Sequence, residues 1–124
     1  MILYIDLPQA LATAERLGFQ VRDVGLLASA LARPAASVFG EDAYRTLELK
    51  AAALFSSLAQ NHPLFDGNKR FSMILTFAFL DINGREISFT NDETFDLVLA
   101  VAQSELDLDE IAAQIAERTA SREA

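Results

Sequence analysis

His62-Pro63-Leu64-Phe65-Asp66-Gly67-Asn68-Lys69-Arg70, running straight into the apolar segment Phe71 to Ile82, is the stretch that decides how this chain folds. Pro63 cannot continue a helix, and it pushes the residue before it, His62, out of the α region, so one helix has to stop there. Asp66-Gly67-Asn68 then supplies a new helix start, where unpaired backbone N–H groups and the positive end of the helix dipole face forward. Between the two lie the chain's single histidine, a carboxylate, an amide and two cations. That set, at the mouth of a helix, suits the handling of phosphate.

Working outward, the helix starting near Gly67 continues to Ile82, and Phe71, Met73, Ile74, Leu75, Phe77, Phe79 and Leu80 leave it no polar face. It is expected at the centre of the domain. The preceding helix is expected from about Glu41 to Gln60, with Tyr44, Leu47, Ala51, Leu54, Phe55 and Leu58 at core spacing. Upstream, Asp6 caps a helix that runs to about Leu17 and is ended by Gly18, and Asp23 begins another that Arg33-Pro34 closes. Met1 to Ile5 reads as a short strand and Ala35 to Gly40 as a flexible stretch. Asn83-Gly84 ends the apolar helix, and Arg85-Glu86-Ile87-Ser88-Phe89 alternates like a second short strand. Helices over about Asp92 to Gln103 and Asp107 to Arg118 complete a bundle, and Thr119 to Ala124 are expected to fray. The fold class is therefore all-α: about six helices with minor β elements, in a single domain over residues 1–124.

Composition limits the partners. Eighteen acidic residues against ten basic ones give a net charge of −8, which disfavours broad binding to nucleic acid phosphates or an anionic membrane. An anion site must be local, and of the two lysines, Lys50 and Lys69, the second stands beside Arg70 in the loop. There are no cysteines, so neither disulfides nor thiolate metal sites are available. The N-terminus lacks the pattern of a signal peptide, and the longest apolar stretch, Met73 to Ile82, is too short to span a bilayer. A soluble cytoplasmic protein is expected.

Each loop residue has two readings. His62 is the one side chain whose ordinary pKa lies near neutrality, a natural proton acceptor, or else a cap on the last carbonyls of the helix before it. Asp66 is either an N-cap or a carboxylate for Mg²⁺, a hard cation usually held by one or two carboxylates together with a substrate's phosphates. Gly67 is either an ordinary turn glycine or permits close approach of backbone to a ligand. Asn68 either bonds the loop to itself or orients a phosphate oxygen. Lys69 and Arg70, roughly 100° apart on the helix, either belong to a solvated helix face or offer a point charge and a planar fork to phosphate oxygens. The reaction class that follows is transfer of a phosphate-containing group to a nucleophile deprotonated by His62.

The order His-Pro-x-x-Asp-Gly-Asn-Lys-Arg resembles the active-site loop of the Fic/Doc family, and Lys69 before the final arginine resembles the Doc branch, the "death on curing" toxins. The segment Arg22-Asp23-Val24-Gly25-Leu26-Leu27-Ala28-Ser29-Ala30-Leu31-Ala32-Arg33-Pro34 is similar to the region upstream of the loop in Doc-type proteins, and the acidic C-terminal helices extend the likeness. The resemblance implies a Fic/Doc-like helical fold and a toxin with a separate antitoxin partner, Phd-like and bound in a surface groove. Fic-type members usually carry glycine where Lys69 stands and transfer AMP from ATP. In Doc the lysine goes with a reversed nucleotide that delivers the γ-phosphate to a threonine of elongation factor Tu, arresting translation.

Carried over position by position, His62 is the base for the target hydroxyl, Asp66 the Mg²⁺ ligand, Gly67 and Asn68 the anion hole, and Lys69 and Arg70 the phosphate clamps. Catalysis is thus expected from His62, Asn68, Lys69 and Arg70, and nucleotide binding from Gly67, Asn68, Lys69 and Arg70. ATP is the substrate nucleotide, and no direct contact with nucleic acid or membrane is implied. AMP transfer and a non-catalytic, antitoxin-binding co-repressor are the alternatives. The sequence departs from the family pattern at Leu64, where Phe is usual, and at Ala28, where relatives often have Glu. Leu64 keeps an apolar anchor but a smaller one.

Overall fold

Fifteen residues, Leu47–Asn61, form the most enclosed helix of the protein, and nine of them are buried. The computed structural model describes residues 1–122, and among them the helices are α1 (Leu7–Leu17), α2 (Val24–Ala32), α3 (Leu47–Asn61), α4 (Asn68–Ile82), α5 (Asn91–Ala102) and α6 (Leu108–Glu117). Two small antiparallel pairs accompany them, β1 (Ser37–Val38) with β2 (Glu41–Asp42) and β3 (Arg85–Ile87) with β4 (Thr119–Ser121). The predominantly helical class and the six helices are as the sequence indicates. The buried apolar residues other than Ala53 make one continuous cluster.

The centre differs from expectation. It is α3, not α4, that α2, α4, α5 and α6 all pack against. The cause is side-chain size: Ala51, Ala52 and Ala53 are fully enclosed beside Leu54, Phe55 and Leu58, and small residues let neighbouring backbones approach a helix from several sides. On α4, Phe71, Leu75, Phe79 and Leu80 are buried, but Met73, Ile74 and Phe77 are only partly so.

Four other expectations are corrected. Residues 1–5 form no strand, because Asn83 intervenes: its side-chain amide accepts from Leu3 N–H at 2.8 Å and donates to Leu3 C=O at 2.9 Å. A side chain there takes the place of a neighbouring backbone. The stretch after Pro34 is a hairpin whose turn, Phe39-Gly40, has both residues at positive φ, 52° and 81°, the geometry of a type I′ turn. Phe39 is fully exposed at its tip. Helix α3 consequently starts at Leu47 rather than near Glu41, with Thr46 Oγ1 accepting from Leu49 N–H at 3.1 Å, and Tyr44 lies outside it. Finally, Thr119–Ser121 do not fray but pair with β3, and Arg122 bonds Asp81. Glu123 and Ala124, the end of the expected frayed tail, lie outside the described residues.

The hairpin is tied down by two cations, Lys50 buried and Arg33 half-buried. Lys50 is 2% exposed, and its ammonium donates to Asp42 Oδ2 at 3.1 Å, to Tyr44 C=O at 2.7 Å and to Pro34 C=O at 3.4 Å. Arg33 donates to Tyr44 Oη at 2.9 Å and Ser57 Oγ at 2.8 Å. Replacing Asp42 with Ala leaves that ammonium enclosed without its carboxylate, and chemical denaturation is expected to show a loss of about 1–3 kcal/mol.

Helix α5 starts with a capping box in which Glu93 accepts from Thr90 N–H at 2.9 Å, while Arg118 reaches the same carboxylate at 2.6 Å. Those two contacts, the backbone bond first, hold the Glu93 carboxyl below the usual range. A lowered carboxyl pKa in the folded state stabilises above the unfolded value and ceases to as pH falls through the folded one. The stability gap between the wild type and Glu93→Gln should therefore be widest near neutrality and close in acid below about pH 4, as thermal melts across pH would show.

Candidate active site

Helix α3 ends on His62, which takes a left-handed backbone conformation, φ 53° and ψ 58°. The sequence reading that proline drives His62 out of the α region holds. Leu64, two residues on, is 1% exposed and forms an antiparallel bridge with Val21. The anchoring role expected of this smaller residue is met by leucine, while Phe65 next to it stands 68% exposed.

Asn68 closes the loop. Its Oδ1 accepts from Leu64 N–H at 2.9 Å, and its Nδ2 donates to Leu64 C=O at 3.1 Å. Of its two readings from sequence, the side chain adopts the first, bonding the loop to itself. Asp66 is not the N-cap. Gly67 occupies that position at φ 83° with no side chain capping it, and Asp66 Oδ1 accepts from Gly67 N–H at 2.9 Å. The first backbone bond of α4 runs from Phe71 N–H to Gly67 C=O. The N–H groups of Asn68, Lys69 and Arg70 are thus the unpaired donors of the helix start, at the positive end of its dipole.

His62, Phe65, Asp66, Gly67, Asn68, Lys69 and Arg70 line one concavity of about 310 Å³. It adjoins a second of about 400 Å³, which shares Phe65, Asp66, Gly67 and Arg70 and is closed by Leu17 to Gln20. Both fall within the size range of small-molecule sites. The structure therefore brings together all six residues singled out from sequence. Among the described residues no hydrogen bond or ion pair engages the side chains of His62, Lys69 or Arg70. In a chain of net charge −8, three uncommitted nitrogen-bearing side chains and a helix start face one cavity.

Among the described residues there is no group of three or more His, Cys, Asp or Glu side chains that could hold a metal ion. The single exposed carboxylate of Asp66 fits a hard cation shared with a bound polyphosphate. Past Lys69 and Arg70 a more apolar groove of about 470 Å³ opens between α4 and α5, lined by Met73, Phe95, Val98 and Leu99, with Phe95 67% exposed.

What sequence reasoning missed is the support of the loop. The connector between α1 and α2 lies alongside it: Phe65 N–H donates to Gln20 C=O at 3.1 Å, and Arg22 N–H and Asp23 N–H both donate to Pro63 C=O at 2.8 and 3.0 Å. The Arg22 guanidinium grips His62 C=O, and Phe19 packs its ring against Gly67 and, at 5.2 Å between centroids, against Phe71.

Residues 4–80 match the sequence profile of the family described as "Fic/DOC family". The chain belongs to the Fic/Doc family. It is 48% identical over 122 residues to the protein named "Toxin Doc" of Mycolicibacterium smegmatis, a match covering 94% of this chain and 93% of that relative. The six-helix Fic/Doc framework seen here is the one the loop resemblance implied, and no helix among the described residues is long and apolar enough to cross a membrane.

In this Fic/Doc loop Gly67 leaves no room for a side chain. A Cβ there would lie 2.5 and 2.8 Å from two carbons of the Phe19 ring, and its backbone sits in the left-handed region. Gly67→Ala is expected to cost roughly 1–3 kcal/mol. In a Phe19→Ala background the same change should cost less, and the non-additivity of a double-mutant cycle by denaturant titration checks it.

Proposed function

We propose that this chain is the toxin of a toxin–antitoxin pair and transfers the γ-phosphate of ATP to a hydroxyl side chain of a translation factor, elongation factor Tu, in the cytoplasm, acting as a single domain. The observation that carries the reading is the concavity at the start of α4, where an uncommitted imidazole, a lysine, an arginine and the free N–H groups of a helix face the same space. Phosphoryl transfer needs positioning and neutralisation of developing charge more than covalent participation, and these groups supply both. The relative named "Toxin Doc" supports the toxin role.

In this reading the N–H groups of Asn68, Lys69 and Arg70 cradle the phosphate tail, with the Lys69 ammonium and the Arg70 fork on its oxygens. Asp66 would hold Mg²⁺ jointly with those phosphates, which supplies further neutralisation of their charge. The His62 imidazole accepts the proton of the target hydroxyl as its oxygen bonds to the γ-phosphorus and the bond to the β-phosphate oxygen breaks. ADP leaves, and the proton remains on His62. Lys69 is the feature that favours γ-phosphate over AMP transfer, by its likeness to the Doc branch. The groove between α4 and α5, apolar along its length and cationic at its mouth, suits an amphipathic helix with an acidic end, and we assign it to a Phd-like antitoxin.

Purified protein incubated with Mg²⁺, γ-labelled ATP and elongation factor Tu is expected to label the factor. His62→Ala should lower the rate by about 10²–10⁴-fold, and Asp66→Ala should abolish toxicity on expression without a partner. Label arriving only from α-labelled ATP would establish AMP transfer instead. Absence of either label, together with absence of toxicity, would leave a non-catalytic role.

A further inference from the structure

A catalytic histidine is commonly aimed by a third group that bonds its far ring nitrogen. His62 has no such partner: no hydrogen bond to its ring is made by any described residue. Its direction is set through its own backbone, and that backbone is unusual. A non-glycine residue in the left-handed region immediately before a proline occupies a conformation that persists only where its surroundings enforce it. Packing does not enforce it, since His62 is exposed.

The restraint comes from Arg22, forty positions earlier. Its Nε and Nη2 both donate to His62 C=O, at 3.1 and 2.5 Å. The backbone N–H groups of Arg22 and Asp23 hold the next carbonyl, that of Pro63, at 2.8 and 3.0 Å. Two successive loop carbonyls are therefore fixed by two successive residues, one through a rigid guanidinium fork and one through main chain. Asp23 in turn is fixed, because its side chain caps α2 by accepting from Leu26 N–H at 3.0 Å. The guanidinium also places a positive charge on the C-terminal end of α3, where unpaired carbonyls gather.

We propose that Arg22 is a positioning residue for the transfer reaction: by clamping the peptide carbonyl of His62 it holds the strained turn that points the imidazole at the target hydroxyl. The inference rests on the base role given to His62 above. Arg22 is exposed and touches no buried side chain through its charge, so its loss leaves the core intact.

The test uses the full chain with Arg22→Gln and Arg22→Lys. For Arg22→Gln, kcat for labelling of elongation factor Tu is expected to fall by roughly ten- to a hundredfold with KM for ATP moving less than about twofold, because misaiming the base affects the chemical step rather than nucleotide binding. Arg22→Lys, which returns one charged donor, should recover part of kcat. Because His62 is the sole histidine, its ring gives a single pair of carbon–proton NMR signals, Cδ2–H and Cε1–H, each expected to be sharp in the wild type, broadened or split in Arg22→Gln and restored in Arg22→Lys. A kcat within twofold of wild type with an unchanged ring signal would overturn the proposal, and so would a rise in KM for ATP at constant kcat, which would make Arg22 a nucleotide contact. If the wild type transfers nothing, the kinase reading fails on its own, and the ring signal still decides whether Arg22 orders His62.

Discussion

The antiparallel contact between Gln20–Asp23 and His62–Phe65 is the constraint on which the rest of the site depends. It joins segments forty residues apart, and it does so chiefly through main-chain groups, which makes its geometry insensitive to most side-chain changes. The loop it holds carries His62 at one end and opens α4 at the other. Because α3 and α4 both pack into the common core, the two ends of the loop are fixed relative to each other before any ligand arrives. Rigid support of this kind lets a short loop present several groups to one point.

The loop also divides its labour between structure and chemistry. Leu64 and the Asn68 side chain face inward and hold the turn, whereas His62, Asp66, Lys69 and Arg70 face outward with few internal commitments. Gly67 stands where the two functions meet. Its left-handed backbone starts the helix, and its missing side chain leaves room for Phe19, whose ring extends the contact down to Phe71 and so couples the connector to the core of α4.

Much of this could be read in the chain because the relevant signals are local. Asp6, Asp23 and Gly18 marked helix boundaries by capping chemistry that acts over three or four residues, and His62-Pro63 and Gly67 marked the loop by backbone preference alone. The hairpin stayed hidden because its turn is Phe39-Gly40, without the Asn-Gly or Asp-Gly that announces a two-residue turn, and Glu41 and Tyr44 fell by chance on the helical period that begins at Leu47. The centrality of α3 is obscured in the sequence because alanine is weakly hydrophobic yet permits the closest packing. Arg22 was visible as part of a familiar segment, but a bond from it to His62 is a tertiary fact with no trace in local pattern.

The alanine-lined spine of α3 carries a consequence for how this protein can change over time. At Ala51, Ala52 and Ala53 there is no accessible surface left, so even one added methyl group must displace a neighbouring helix. Since α2, α4, α5 and α6 all lean on this spine, such a displacement would be transmitted to both walls of the cavity at once. Variation is therefore tolerated least at the chain's plainest side chains, while the outward-facing residues remain free to be retuned without disturbing the frame.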